Sequence, residues 1–466
     1  MQQGPWQMTE FAIKRLSLEG GKPAEFDVVG QPVQRIDALG HVTGRSPYYD
    51  SLQERDLLHL KMVRSPHHHA RILKIDTAPA LAVEGVVKVL THADVPNNVY
   101  CILEALGVPA DEPVLAADRV LYRGEQICAV IGETPQAAAE GARRVVIDYD
   151  AMPAVLELED ALNPEFPAFK PHGHNYFLFE DHECRRIRFG DIEAGFAEAD
   201  HIFEHSYQSS PIEHAALETT GCIVSPAENG RYAIHSNTQA LFFSLDVTAN
   251  ILGIEPARLH VIGGTVGGGF GGKCDVIVEP ICTLAAMRTD RPVKYAYSRQ
   301  EEMQVSSTRS AERITIRDGV MSDGRIVARK VRMLIDSGAY SRNTPYGTNK
   351  AAGHLPGPYA IPNVHGDVYC VYTNRTPTSA MRGFGVTMAD YAIEVQMDRI
   401  ARELEMDPLE LRMINAYRDG DMKAIRKKVT GAALVETMRA AAELAGHALP
   451  AGYDGMSSKH RDENHG

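Results

Sequence analysis

The sequence predicts a mixed fold of the α/β or α+β class, on three observations. Short apolar runs of strand character recur at 58–63, 72–75 and 86–90, separated by segments able to turn. Thr134 followed by Pro135 is a strong helix start: a capping hydroxyl beside a residue whose fixed φ and missing N–H suit the first helical position. Asp323-Gly324 between the runs 313–316 and 326–330 is a hairpin signal, because a tight turn needs residues that tolerate positive φ.

The elements follow in order. Residues 1–29 read as a lead-in carrying Trp6. His67, His68 and His69 lie between two strand runs; three adjacent histidines on an extended loop cannot converge on one metal, so they read as surface residues. A strand is expected at 121–132, an alanine-rich helix from Thr134 to Arg144, and a returning strand at 145–149. Pro164, Pro167 and Pro171 stand among polar residues at 163–175, which reads as an interdomain linker. Beyond it, 232–236 has strand character, and Phe242, Leu245, Ala249 and Leu252 mark one face of a helix closed by Gly253. A strand at 259–262 leads into a glycine-rich loop. Ile393, Met397, Ile400 and Leu404 form a buried helical stripe, and Asp407, Pro408 and Glu410 open another helix. A last helix around 435–444 precedes a polar tail.

At 466 residues the chain can hold two to four domains. Its formal charge of −13 argues against a general nucleic-acid or anionic-membrane surface, since phosphate would be repelled, but leaves room for a local basic site. No stretch has the apolar length of a signal peptide or membrane span, so a cytoplasmic location is expected. Seven scattered cysteines without a C-x-x-C pair support neither a zinc nor an iron–sulfur site and read as reduced thiols.

The glycine loop at 263–273 carries seven glycines in eleven positions and is followed by Cys274. Such a backbone can take positive φ and approach a partner with no Cβ in the way. Gly267, Gly269 and Gly272 satisfy the dinucleotide pattern G-x-G-x-x-G, and 267–273 matches the opening of a P-loop. The P-loop needs a hydroxyl after its lysine as a hard oxygen ligand for magnesium, and Cys274 is a soft sulfur. The dinucleotide pattern needs a helix opening at once, whereas Pro280 fits the first turn of a helix starting near Glu279. A nicotinamide-dependent Rossmann dehydrogenase stays open as an alternative.

Four separated stretches then occur in one order: Glu213-His214-Ala215-Ala216-Leu217-Glu218, Thr238-Gln239, the loop at 267–273, and Arg382-Gly383-Phe384-Gly385. Together they resemble the molybdenum-binding large subunit of the xanthine dehydrogenase and aldehyde oxidase family. Arg64-Ser65-Pro66 with His69-Ala70-Arg71, and Tyr122-Arg123-Gly124-Glu125, are similar to that family's α/β-hammerhead domain; Gly190-Asp191 with Phe196-Ala197 and Ala199-Asp200 is a further match. The resemblance implies an α+β chain with a hammerhead domain at 30–155, a linker at 156–175, the first half of the molybdenum cofactor-binding region at 176–448 and a polar tail at 449–466.

It also implies a chemistry, hydroxylation of an electron-poor carbon with water as the oxygen source. A pterin dithiolene holds the molybdenum, so the protein contributes hydrogen bonds and shape. By motif, Gln239, Gly268, Gly269, Phe270, Gly271 and Arg382 bind the cofactor, with Gln239, Phe270 and Arg382 meeting the metal only through its non-protein ligands. Cys274, Arg342 and Phe384 fall on the substrate side, Phe384 for stacking and Arg342 as a fork of donors. Plainer roles exist: Gln239 as a helix cap, Phe270 as a core aromatic, Arg382 paired with Asp390, Arg342 as an exposed loop residue. Purine oxidisers of the family place a glutamate where Cys274 stands, which puts xanthine in doubt; a nicotinate-like acid or a purine is the expected class.

The family's catalytic glutamate lies beyond the matched region, so no catalytic residue is assigned to this chain. The resemblance therefore implies a second molybdenum-binding subunit, as in split nicotinate dehydrogenases, with 2Fe–2S centres and FAD on further subunits. A truncated chain with a non-catalytic assembly role is the other alternative.

Overall fold

The computed structural model describes residue 28 and residues 31–449, so the lead-in expected at 1–29 and the polar tail at 449–466 fall almost wholly outside the described residues. The described residues fall into two compact units, one up to residue 47 and one from residue 48 onward. In the first, the short helix Ala38–Val42 has Asp37 at its start, paired with Arg35 and His41.

The second unit is α+β and is built on two large mixed sheets. The first runs in the order Leu259–Gly263, Arg231–Ser236, Gly221–Ala227, Val293–Ala296, Leu58–Arg64, Gln126–Gly132, Val86–Leu90. Its centre joins early and late parts of the chain: Leu58 pairs in parallel with Val293, while Leu58–Arg64 runs antiparallel to Gln126–Gly132. Gln126–Gly132 is apolar on both faces, as a strand covered on both sides must be, whereas Leu58–Arg64 and Val293–Ala296 alternate buried apolar residues with half-buried ones. Pro135–Arg144 packs on one end, with Thr134 Oγ1 accepting from Ala137 N at 3.1 Å. Glu279–Thr289 is buried along most of its length, and Pro280 sits in its first turn.

The second sheet has the order His201–Ser209, Glu312–Val320, Ile326–Gly338, Asn363–Tyr372, Arg185–Phe189. Its long hairpin turns at Gly324, whose φ of 90° only glycine takes without strain. Helices Thr344–His354 and Thr387–Glu403 cover it; Ile393, Met397 and Ile400 pack into its core. Within the hairpin Arg329 is fully buried and forms a two-bond fork to Asp318 (2.8 and 3.0 Å), so neither charge is left unpaired. The stretch 156–175 is irregular apart from a short turn at Asp160–Leu162, and it buries Phe169, Lys170 and Asn175. Lys170 Nζ reaches Asp111 (2.8 Å) there.

Two expectations need correction. Phe242 does not share the buried face of helix Leu241–Leu252, being 81% exposed; Ser244, Thr248 and Ile251 face the interior instead. His69 is not a surface residue: it is buried, with Nδ1 2.6 Å from the carbonyl of Pro153, and His68 Nδ1 lies 2.9 Å from the carbonyl of Asn374.

Candidate active site

The glycine loop leaves the edge strand Leu259–Gly263 and crosses the face where segment 213–218, Gln239 and segment 380–384 meet. Its glycines are set by what surrounds them. A Cβ on Gly267 would stand 2.5 Å from Glu218 Cβ, on Gly269 2.4 Å from Gln239 Cδ, on Gly271 2.6 Å from the Ala380 carbonyl oxygen, and on Gly272 2.7 Å from His214 Nδ1. None of those distances is physically possible, so the loop lies against its neighbours with no room for a side chain. Gly264 faces open space.

Three hydrogen-bond donors surround this loop without a partner among the described residues. Gln239 uses its side-chain carbonyl to accept Gly271 N (3.0 Å) and Lys273 N (3.3 Å), which fixes the amide and leaves its NH2 free at the surface. Its side chain does not cap the helix that follows. Phe270 holds φ at 52°, is half exposed, and keeps its N–H unbonded while its carbonyl accepts Arg382 N at 2.7 Å. That bond ties the Arg382 segment to the loop. The Arg382 side chain is exposed and forms no ion pair with Asp390 or any other described acid. The three groups together present donors only.

The loop lysine faces the other way. Lys273 is 3% exposed, and its Nζ donates to Glu218 Oε2 at 2.8 Å, an oxygen that also accepts Gly267 N at 2.7 Å. It is thus committed to the protein rather than to a phosphate. The next helix begins at Glu279, well beyond Gly272, so the loop opens no helix of the dinucleotide-binding kind. The Rossmann alternative is overturned on that geometry. Cys274 is half-buried, and burial pushes its thiol up to about 11, so it stands neutral at pH 7.

Phe384 lies beside helix Thr344–His354, where a Cβ on Gly347 would come within 2.8 Å of its ring. Tyr346 is next to it, with centroids 6.3 Å apart. Arg309 braces this segment by donating to the carbonyl of Arg382 and to Thr387 Oγ1 at 3.1 Å. Arg309 and Phe384, with Ser310, Thr344 and Met381, line a small cavity. Arg342 is elsewhere and is not an exposed loop residue. It is 4% exposed, and its fork grips Glu112 (2.7 and 3.0 Å), with Nη1 3.5 Å from Asp275. The structure thus brings together Gln239, the loop, Arg382 and Phe384, while Arg342 reaches only Asp275, the residue after Cys274.

The sequence reading missed a cation at Phe384, Lys350, whose Nζ stands 5.6 Å from that ring's centroid and 4.9 Å from that of Tyr346. The available signal was Asn343-Thr344-Pro345, a helix start that puts Tyr346 and Lys350 four apart on one face.

Comparison with known proteins gives a consistent result. Residues 174–416 match the model of the molybdopterin cofactor-binding domain, and 43–153 that of the aldehyde oxidase and xanthine dehydrogenase a/b hammerhead domain. The nicotinate dehydrogenase large molybdopterin subunit of Eubacterium barkeri is 32% identical over 90% of this chain and 97% of its own length. A probable xanthine dehydrogenase subunit of Bacillus subtilis is also 32% identical, over 86% of this chain and 53% of its own. Among solved structures, aldehyde oxidoreductase from Desulfovibrio gigas superposes with a TM-score of 0.83 at 30% identity, covering 90% of this chain and 47% of that one. Quinoline 2-oxidoreductase from Pseudomonas putida 86 gives 0.81 at 25% identity, covering 89% and 54%. The chain therefore spans nearly all of the first relative and about half of each of the other three.

Proposed function

This chain belongs to the xanthine dehydrogenase and aldehyde oxidase family of molybdenum-dependent oxidoreductases, and on that premise we propose that it is one subunit of a hydroxylase acting on an N-heteroaromatic substrate, a nicotinate-like acid or a purine. The observation that carries the reading is the donor-only rim around the glycine loop: the Gln239 amide, the Phe270 N–H and the Arg382 guanidinium. An oxygen-rich group fits such a rim, because each donor would gain an acceptor and no protein acceptor would oppose it. A molybdopterin-type cofactor is such a group, and its molybdenum supplies, when bound, a two-electron oxidation with water as the oxygen source.

The chain's own residues then have distinct tasks. Gln239 and the Phe270 backbone orient the cofactor's oxygen atoms, while Gly268, Gly269 and Gly271 let the main chain lie close. Arg382 offers a positive charge at the same edge. Phe384 provides a face on which a planar ring stacks. Cys274 closes the substrate side as a neutral thiol and cannot supply a carboxylate, which disfavours xanthine. Arg342 acts on that side through Asp275, next to Cys274, since Glu112 occupies its fork. The proton-accepting glutamate comes from a second molybdenum-binding subunit, and electrons leave through 2Fe–2S and FAD subunits. A cytoplasmic assembly is part of this proposal. No described helix is long and apolar enough to cross a membrane.

Turnover of pyridine-3-carboxylate and of hypoxanthine by the co-purified complex in oxygen-18 water tests this. Label in the hydroxylated product is expected. Label drawn from oxygen-18 gas instead would contradict it.

A further inference from the structure

A single carboxylate oxygen closes the glycine loop. Glu218 Oε2 accepts Gly267 N at 2.7 Å and Lys273 Nζ at 2.8 Å, so the two ends of the stretch 267–273 meet on one atom. The Glu218 N–H also donates to the Gly267 carbonyl, at 3.1 Å. Both side chains are largely buried, and the second carboxylate oxygen has no partner among the described residues, so the closure rests on Oε2 alone. Desolvation pulls the Lys273 ammonium below its ordinary value, and its bond to Glu218 is the largest influence opposing that.

The acid is itself anchored. Arg299 donates to the carbonyls of Ala216 and Leu217, and Glu302 accepts the N–H and the hydroxyl of Thr220. Residues on both sides of Glu218 are thus fixed to helix Arg299–Val305. Inside the closed stretch Gln239 holds Gly271 N and Lys273 N, while the Phe270 N–H has no protein acceptor. The direction of that N–H follows from how the loop is closed.

We infer that Glu218 and Lys273 are positioning residues for the reaction: their ion pair fixes the curvature of the loop, and so the place of the Phe270 N–H, with both side chains buried behind it. This rests on the hydroxylase reading and adds to it a pair that the reading leaves unused. The physical reason is the steepness of preorganised hydrogen bonding, in which a donor displaced by about 1 Å loses most of its effect on the reacting group.

The test compares three forms of the complex with its co-purified subunits: wild type, the double variant Glu218→Gln with Lys273→Met, and, as a control in the second sheet, Arg329→Met with Asp318→Leu. Each double variant removes a buried ion pair without leaving a lone charge, and an amide at position 218 can still accept Gly267 N. Hydrogen exchange of the peptide holding 267–273, molybdenum per chain, and kcat per molybdenum and KM for pyridine-3-carboxylate and hypoxanthine are read in each. The loop variant is expected to exchange its Gly271 and Lys273 amides about tenfold faster or more, and to lose about a hundredfold in kcat with KM within about threefold of wild type. The control is expected to match wild type in exchange, kcat and KM. Unchanged loop exchange, faster exchange with unchanged kcat, or a control that loosens the loop equally overturns the assignment. With molybdenum present throughout, any of these sinks the pair alone. An intact wild-type complex that lacks molybdenum sinks the hydroxylase reading, and this inference with it.

Discussion

The side-chain carbonyl of Gln239 and the backbone N–H of Gly271 are joined at 3.0 Å, and the same oxygen accepts Lys273 N. One half of the amide therefore holds the loop, while the other half points away from it. The two halves can be separated by mutation. Gln239→Glu keeps the acceptor and replaces the donor NH2 by an anionic oxygen; Gln239→Ala removes both. We expect Gln239→Glu to leave the melting temperature of the complex within a degree or two while cutting activity about a hundredfold. Gln239→Ala should lose activity and also about 1–2 kcal/mol of stability. Equal stability losses in both variants would contradict the division.

The glycines make a second prediction by contrast. Gly264→Ala meets nothing within 4 Å, whereas Gly271→Ala puts a Cβ against the Ala380 carbonyl at a φ of 104°. The first should retain wild-type molybdenum content. The second should displace the segment carrying Arg382 and lower cofactor retention at least tenfold, read as metal per chain after gel filtration. Similar retention in both would remove the close approach from the account.

A third concerns the buried ion pair. Arg329 and Asp318 are both fully buried, so Asp318→Asn leaves a guanidinium with a neutral partner in a dry core. The expected cost is about 3–5 kcal/mol, seen as a lower midpoint in urea. The double change Arg329→Met, Asp318→Leu should recover much of it, because the penalty belongs to the uncompensated charge.

A fourth is a pH dependence. Burial pushes the Glu312 carboxyl up to about 8 and Glu125 up to about 7, against an ordinary value of 4.5. A carboxyl raised on folding binds its proton more tightly in the native state, so its contribution is complete below 4.5 and is lost as pH rises toward the native value. Stability should therefore fall between about pH 5 and 8, and Glu312→Gln should flatten that slope and be the more stable protein at pH 8. A wild-type slope unchanged by the substitution would contradict it.

The parts of the fold legible in the sequence are those with local causes. Thr134-Pro135 fixes the start of helix Pro135–Arg144, and Pro280 the start of Glu279–Thr289, because capping and a fixed φ need no tertiary partner. The second sheet was harder to read. Ile326–Gly338 buries nearly every residue, polar ones included, with Arg329 paired across the hairpin to Asp318 and Asp336 accepting from Thr373 just past the neighbouring strand, so the usual alternation is missing. The site divides the same way. Gln239, the loop and Arg382 could be placed together because each lies in a motif, whereas Lys350 reaches Phe384 only through the packing of Gly347 on Gly385. Arg342 lies in a readable stretch, but its partner Glu112 is more than two hundred residues earlier, beyond any local pattern.

The central claim is that this chain lines a molybdenum site. Molybdenum per chain in the native complex, measured by inductively coupled plasma mass spectrometry, tests it most directly. The account predicts about one molybdenum per copy of this chain, lost in parallel with activity in Gly271→Ala. A folded, intact complex without molybdenum, or with a content indifferent to that substitution, would contradict it.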